Sequence, residues 1–171
     1  MATEDEDYRS FEASQPMMMG TAVALSYGVP RSTHWPRVEK EHLAQHQNCL
    51  VCGKGVKDGV KVNVHHGFPF HFVVAVGRPD LELDERNLHT LCVEHEEEHH
   101  LLVGHLGSFE SYNPYLKEDL RRYQGMAAND IRADPKYQQK VVGRPKSLGL
   151  MSSAERNALK HLLDTVFPKV A

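Results

Sequence analysis

Two cysteines set two residues apart, Cys49 and Cys52, joined by a third at Cys92 and by a dense run of histidines, restrict what this chain can fold into more than any other feature. Thiolates and imidazoles in tetrahedral array suit zinc, and such a pair in a chain without a secretion signal reads as metal binding before disulfide. The fourth ligand is expected from the group His95 to His99. Joining a knuckle to a later helix start in this way staples a core too thin to hold itself. The plainer alternative makes Cys92 a small buried hydrophobe. Eight of the 12 histidines lie between His65 and His105, more than surface solvation requires, so a second coordination site is worth seeking in the same stretch.

The surrounding pattern places these residues on short elements of an α+β fold, and 171 residues suffice for one ordinary core. Pro36 is expected to open a helix running to about His46. The glycine-rich stretch Asn48 to Gly59 suits a tight knuckle whose amides turn toward sulfur. Val60, Val62 and Val64 alternate with polar residues, which predicts a half-buried strand that delivers His65 and His66 at its end. A long loop spans 67–86, with a short strand expected over Phe72 to Val76. Leu88 to Leu91 reads as another strand, followed by a helix through His105 that Gly107 terminates. Asn113 is expected to cap a further helix with Pro114 at its first position, reaching about Asn129. The last helix starts at a capping box, Ser152 with Glu155, and is expected to bury Leu159, Leu162, Leu163, Val166 and Phe167. The expected layout is therefore an N-terminal arm over 1–33, partly flexible, a main domain over 34–130, a basic linker over 131–151 and a C-terminal amphipathic helix over 152–171.

Five stretches, HWPRVEKEHL, CLVCG, VHHGFPFH, LELDERNLHTLC and HHLLVGHLGSFESYNP, occur in an order that resembles the HNH endonuclease family, over about residues 34–118. The resemblance implies the family's small ββα-metal core, treble-clef-like, braced by a structural zinc site and here flanked by additional helices. It implies that His65 and His100 hold a catalytic divalent cation and that His105 is a further ligand or phosphate contact. His66 would act as general base on water, and Asn87 would orient the loop holding that base. In the same register His99 becomes the fourth zinc ligand beside Cys49, Cys52 and Cys92. His95 is the alternative ligand, and would place Glu96 where a metal-binding histidine belongs. The implied cofactors are structural Zn2+ and one catalytic cation such as Mg2+, Mn2+, Ni2+ or Zn2+.

The chemistry is coherent on its own terms. A phosphodiester repels hydroxide, so its hydrolysis needs a cation on its oxygens and a base with a pKa near neutrality. Neighbouring strand residues point to opposite sides, so one histidine can hold the ion while the other faces water. An asparagine amide both donates and accepts, and fixes a loop without adding charge.

The formal net charge is −3, but the acidic opening supplies −4 of it and leaves residues 13–171 at +1. Phosphate binding must then come from a metal or from local clusters. The best of these are Lys117, Arg121, Arg122, Arg132 and Lys136, the last two in a stretch over 131–151 that carries +4. Glu94 and Glu96 to Glu98 form an acidic helix start that the helix dipole favours. The expected function is a metal-dependent endonuclease acting on double-stranded DNA, with a homodimer as one route to cutting both strands. The alternative is a zinc-stabilised nucleic-acid or protein binding module whose catalytic machinery has decayed. No apolar run approaches a membrane span, and the acidic start lacks the basic residues of a secretory signal, so a cytoplasmic location is expected.

Overall fold

The computed structural model describes residues 30–93 and 98–170. At its centre two strands, β1 (Val62–His66) and β2 (Leu88–Cys92), pair antiparallel with Val62 opposite Cys92 and His65 opposite His89. Helix α1 (Trp35–Gln45) precedes them and packs on β1, with Pro36 in its first turn. Between α1 and β1 lies the knuckle. Cys49 N–H donates to the Lys54 carbonyl at 2.8 Å and Gly53 N–H to the Cys49 carbonyl at 2.8 Å, with Gly53 at φ +73°. Gly55 is required by close approach: a Cβ there would lie 2.3 Å from the Gln47 carbonyl oxygen.

Several expectations for the outer elements are corrected. The segment read as a strand at Phe72 to Val76 lies largely in helix α2 (Phe70–Ala75), because Phe72, Val73 and Val76, at a spacing of three to four, are buried in one cluster. The stretch ending at His105 is a π-helical turn, His100–Gly104, rather than a continuous α-helix. Asn113 does not cap a long helix. Instead α3 (Leu116–Arg122) starts after it and stops before Gly125, whose φ of +76° breaks the helical path and whose N–H donates to the knuckle carbonyl of Val51 at 2.7 Å.

The segment read as a basic linker, 131–151, is folded. It completes α4 (Ala128–Ala133) and contains all of α5 (Pro135–Val142), capped by Asp134, because Ile131 and Tyr137 belong in the core. That core also holds Cys49, Val51, Val62, Leu91, Cys92, Leu102, Val103 and Leu116.

A second cluster gathers Phe68, Phe72, Leu81 and Tyr112 beneath the last helix, α6 (Ser153–Val166), which begins at the expected capping box. Leu159, Leu163 and Phe167, four apart, are buried, and each such side chain contributes about 1.5–3 kcal/mol. Leu162 and Val166, expected on the same face, lie on its flank and stay 37% and 40% exposed. Buried Arg78 pins α6 in place, donating to Asp164 Oδ1 and to the Phe167 carbonyl, each at 2.9 Å. Among the described residues no helix is long and apolar enough to cross a membrane. Residues 1–29 of the expected arm, and Glu94 to Glu97 with His95, lie outside the described residues.

Candidate functional site

The knuckle and the end of β2 bring Cys49, Cys52 and Cys92 to His99, so that their four ligand atoms all lie within 4.8 Å of one another. Cys52 Sγ and Cys92 Sγ are 4.0 Å apart, far beyond bonding distance for a disulfide. His99 Nδ1 stands 3.1 Å from Cys92 Sγ and 3.7 Å from Cys49 Sγ. A zinc ion with Zn–S near 2.3 Å calls for tetrahedral ligand edges of about 3.5–3.8 Å, which this set brackets. The hydrogen bond from Cys92 draws the Cys49 thiol down into the thiolate form, and that bond together with burial pushes the Cys92 thiol up. A dication such as zinc would let all three sulfurs ionise together. These four residues offer a complete donor set for a metal such as zinc, with His99 in the position that the resemblance implied.

The second cluster is built from His65 on β1 and from His100 and His105, which flank the π-turn. Their ring centroids form a near-equilateral triangle, with sides of 5.0, 4.7 and 5.1 Å. One ligand nitrogen of each lies within 4.8 Å of the others. On an α-helix, residues five apart point about 140° away from each other. The π-turn, with its i to i+5 repeat, brings His105 back over His100. Gly104 backs directly onto His65: a Cβ at that position would sit 3.0–3.2 Å from three atoms of the ring.

Burial and the neighbouring imidazoles hold His65 and His100 well below the usual histidine range, and burial pushes His105 down to about 4. All three are therefore neutral near pH 7, the form in which an imidazole can bind a metal. His105 Nδ1–H donates to the Ser111 carbonyl at 2.8 Å, which fixes its tautomer and leaves Nε2 as the lone-pair nitrogen. Among the described residues His65 Nε2, though buried, has no hydrogen-bond partner. An orphaned imidazole nitrogen facing two others fits a coordinated cation, and a set of imidazoles suits first-row ions better than a hard, oxygen-seeking one. Phe109 stands edge-on to both His100 and His105.

His66 projects from the opposite face of β1. Its ring packs on Trp35 at 4.5 Å, and its Nε2–H donates to the Glu82 carbonyl at 3.0 Å. That bond fixes the tautomer and leaves Nδ1 as an acceptor. Burial first, and the Arg31 guanidinium second, push its pKa down to about 3. Asn87 clamps the loop that follows β1: Oδ1 accepts from Phe68 N–H at 2.8 Å, while Nδ2 donates to the Phe68 and Leu81 carbonyls at 3.1 and 3.0 Å.

Three positions were not singled out for these roles from sequence. Asn113 Nδ2 donates to the Val103 carbonyl at 2.8 Å and its N–H to the Gly104 carbonyl at 3.1 Å, securing carbonyls of the π-turn. Ser111 orients His105. Arg31 pairs with Glu82 at 2.8 Å, and its buried Nη2 has no partner among the described residues. The Asn-Pro pair at Asn113 was the only local signal of special geometry there.

The basic residues expected to touch nucleic acid, Lys117, Arg121, Arg122, Arg132 and Lys136, are all exposed. Arg122 is held by Asp134 at 3.0 Å and Arg132 by Asn129 Oδ1 at 3.1 Å, so both are partly committed within the protein. Comparison of the chain with family models, with curated proteins and with solved structures finds no match in any of them.

Proposed function

We propose that the protein is a divalent-metal-dependent endonuclease of the HNH kind, acting on double-stranded DNA. The observation that carries this reading is the convergence of His65, His100 and His105 on one point, next along β1 to His66, whose bond from Nε2–H to the Glu82 carbonyl leaves Nδ1 as an acceptor. The paired strands also match the two strands of the ββα-metal core that the resemblance in the sequence implied, with a π-turn where that core has its helix.

In this reading His65, His100 and His105 hold the cation, which when bound supplies positive charge to the phosphodiester oxygens. His66 Nδ1 would accept a proton from the attacking water and return it to the departing oxygen, a role that requires the anionic phosphate to raise the basicity that burial holds down to about 3 in the free protein. Asn87 keeps the loop between β1 and α2 from drifting. The test is plasmid nicking by purified protein with Mg2+, Mn2+ or Ni2+. His66→Ala is expected to lower the rate by about 10²–10⁴-fold with the fold intact. Intact plasmid with every metal rejects the hydrolytic reading.

A second reading draws on the close burial of the trio under Phe109. It makes the protein a zinc-stapled binding module without turnover. Salt-sensitive DNA binding that survives His66→Ala, with no cleavage by the unaltered protein, selects it.

A further inference from the structure

We propose a third metal site, formed by His42, His46 and Glu85, that binds a first-row transition ion such as Zn2+, Co2+ or Ni2+ and clips α1 to the turn leading into Asn87. His42 and His46 are four residues apart, at the end of α1 and just past it, so their rings share one face, with centroids 4.6 Å apart. Glu85 reaches them from the 3-10 turn Glu85–Asn87, placing Oε1 3.3 Å from His46 Nε2. One ligand atom from each residue lies within 4.8 Å of the others. With Zn–N and Zn–O near 2.1 Å, two ligands of a tetrahedral ion stand about 3.4 Å apart, which the Glu85–His46 pair already matches.

The independent observation is His42 itself. It is 6% exposed, and among the described residues neither of its ring nitrogens has a hydrogen-bond partner. Leaving a polar group so buried without a partner is costly, and the contact between His46 and Glu85 does nothing for it. A cation held by all three side chains satisfies His42 through its lone pair. It also neutralises Glu85, while the exposure of His46 and Glu85 keeps the remaining coordination positions open to water. Two imidazoles and a carboxylate select against a site specific for Mg2+ or Ca2+ and, lacking sulfur, differ from the cysteine cluster.

The anchoring is already half built. Thr90 Oγ1 on β2 donates to the His46 carbonyl at 2.6 Å, so an ion would add a second tie between the end of α1 and the strand region.

The experiment is a Co2+ and Zn2+ titration of the full chain, against a chromophoric chelator, for the unaltered protein, His46→Ala and Glu85→Gln. Both variants change exposed side chains, and the thiolate-to-Co2+ absorption of the cysteine cluster reports that each is folded. The unaltered protein is expected to bind one equivalent more than His46→Ala, with that equivalent at least tenfold weaker in Glu85→Gln. The ring signals of His42 should shift with the same equivalent in NMR spectra of the unaltered protein. An equal count and equal affinities in all three proteins, or saturation without any His42 shift, overturns the proposal. The difference between proteins is read whether or not His65, His100 and His105 bind an ion, so failure here leaves the nuclease reading untouched.

Discussion

In the cysteine cluster the ligand atoms contact one another, Cys92 Sγ to His99 Nδ1 and Cys52 Sγ to Cys92 Sγ, whereas in the histidine trio the groups that hold the rings come from elsewhere. Ser111 orients His105, Gly104 makes room for His65, and Asn113 secures the turn between His100 and His105. The first cluster joins the knuckle to β2 within the larger core, so an ion bound there would be coupled to folding. The second sits on a turn whose carbonyls are satisfied by groups outside it, so the backbone there does not depend on an ion. The Tyr137 hydroxyl donates to the Leu102 carbonyl and Arg144 to that of Leu106. On the proposed reading, one cluster would serve structure and the other would hold an ion that is exchanged or used.

The sharpest way to break this comparison is to remove zinc or to make Cys92→Ala. Structural zinc contributes about 10–16 kcal/mol of binding free energy in small domains, against a typical total stability of about 5–15 kcal/mol. Loss of the cooperative thermal transition in calorimetry is expected. A chain that still melts cooperatively without zinc would make the two clusters equivalent.

His100→Ala is the next largest effect and should separate the clusters from the other side. Cleavage is expected to fall by at least about 100-fold while the melting temperature moves by only a few degrees, since the turn is supported by Asn113 and Tyr137. Unfolding on that single change would assign the trio a structural role.

Gly104→Ala tests the support rather than a ligand. The added methyl must displace the His65 ring, and ion affinity at the trio should drop by about 10–100-fold, measured by titration with zinc kept in the cysteine cluster. Unchanged affinity would mean that the ring's position does not matter.

The smallest effect is acid sensitivity from histidines outside both clusters. Burial pushes His71 and His89 down to about 4 in the folded chain. The unfolded chain takes up these protons near pH 6.5, so the stabilisation is complete above that pH and is lost progressively as pH falls toward 4. In denaturant titrations between pH 7 and 4, His71→Gln should reduce the pH slope of stability by up to about one proton. An identical slope would place the acid sensitivity elsewhere.

Reading the chain alone went furthest where spacing and geometry coincide. Two cysteines two apart with Gly53 and Gly55 specify a knuckle, and the alternation through Val62 and Val64 specifies a strand ending at His65 and His66. Both are local, and local sterics decide them. The C-terminal region was harder, because Tyr137 and Arg144 are ordinary helix and loop residues by pattern and become supports only when folded against the π-turn. Helix α2 was misread for a related reason: its short apolar run fits a strand as well as a helix until Val73 and Val76 meet Leu81 and Phe72. The roles of Arg31, Ser111 and Asn113 were not legible, although the last two lie within a quoted stretch, since their partners are a carboxylate, a ring nitrogen and carbonyls that only the fold brings to them.

By itself the sequence determined which donors are present and in what order: three thiols, paired histidines at a strand end, an asparagine before the second strand and further histidines after it. Only the tertiary structure decided which of them converge. A spacing of five between His100 and His105 points apart on an α-helix and together on a π-turn, and that turn holds because carbonyls within and beside it find donors many residues away.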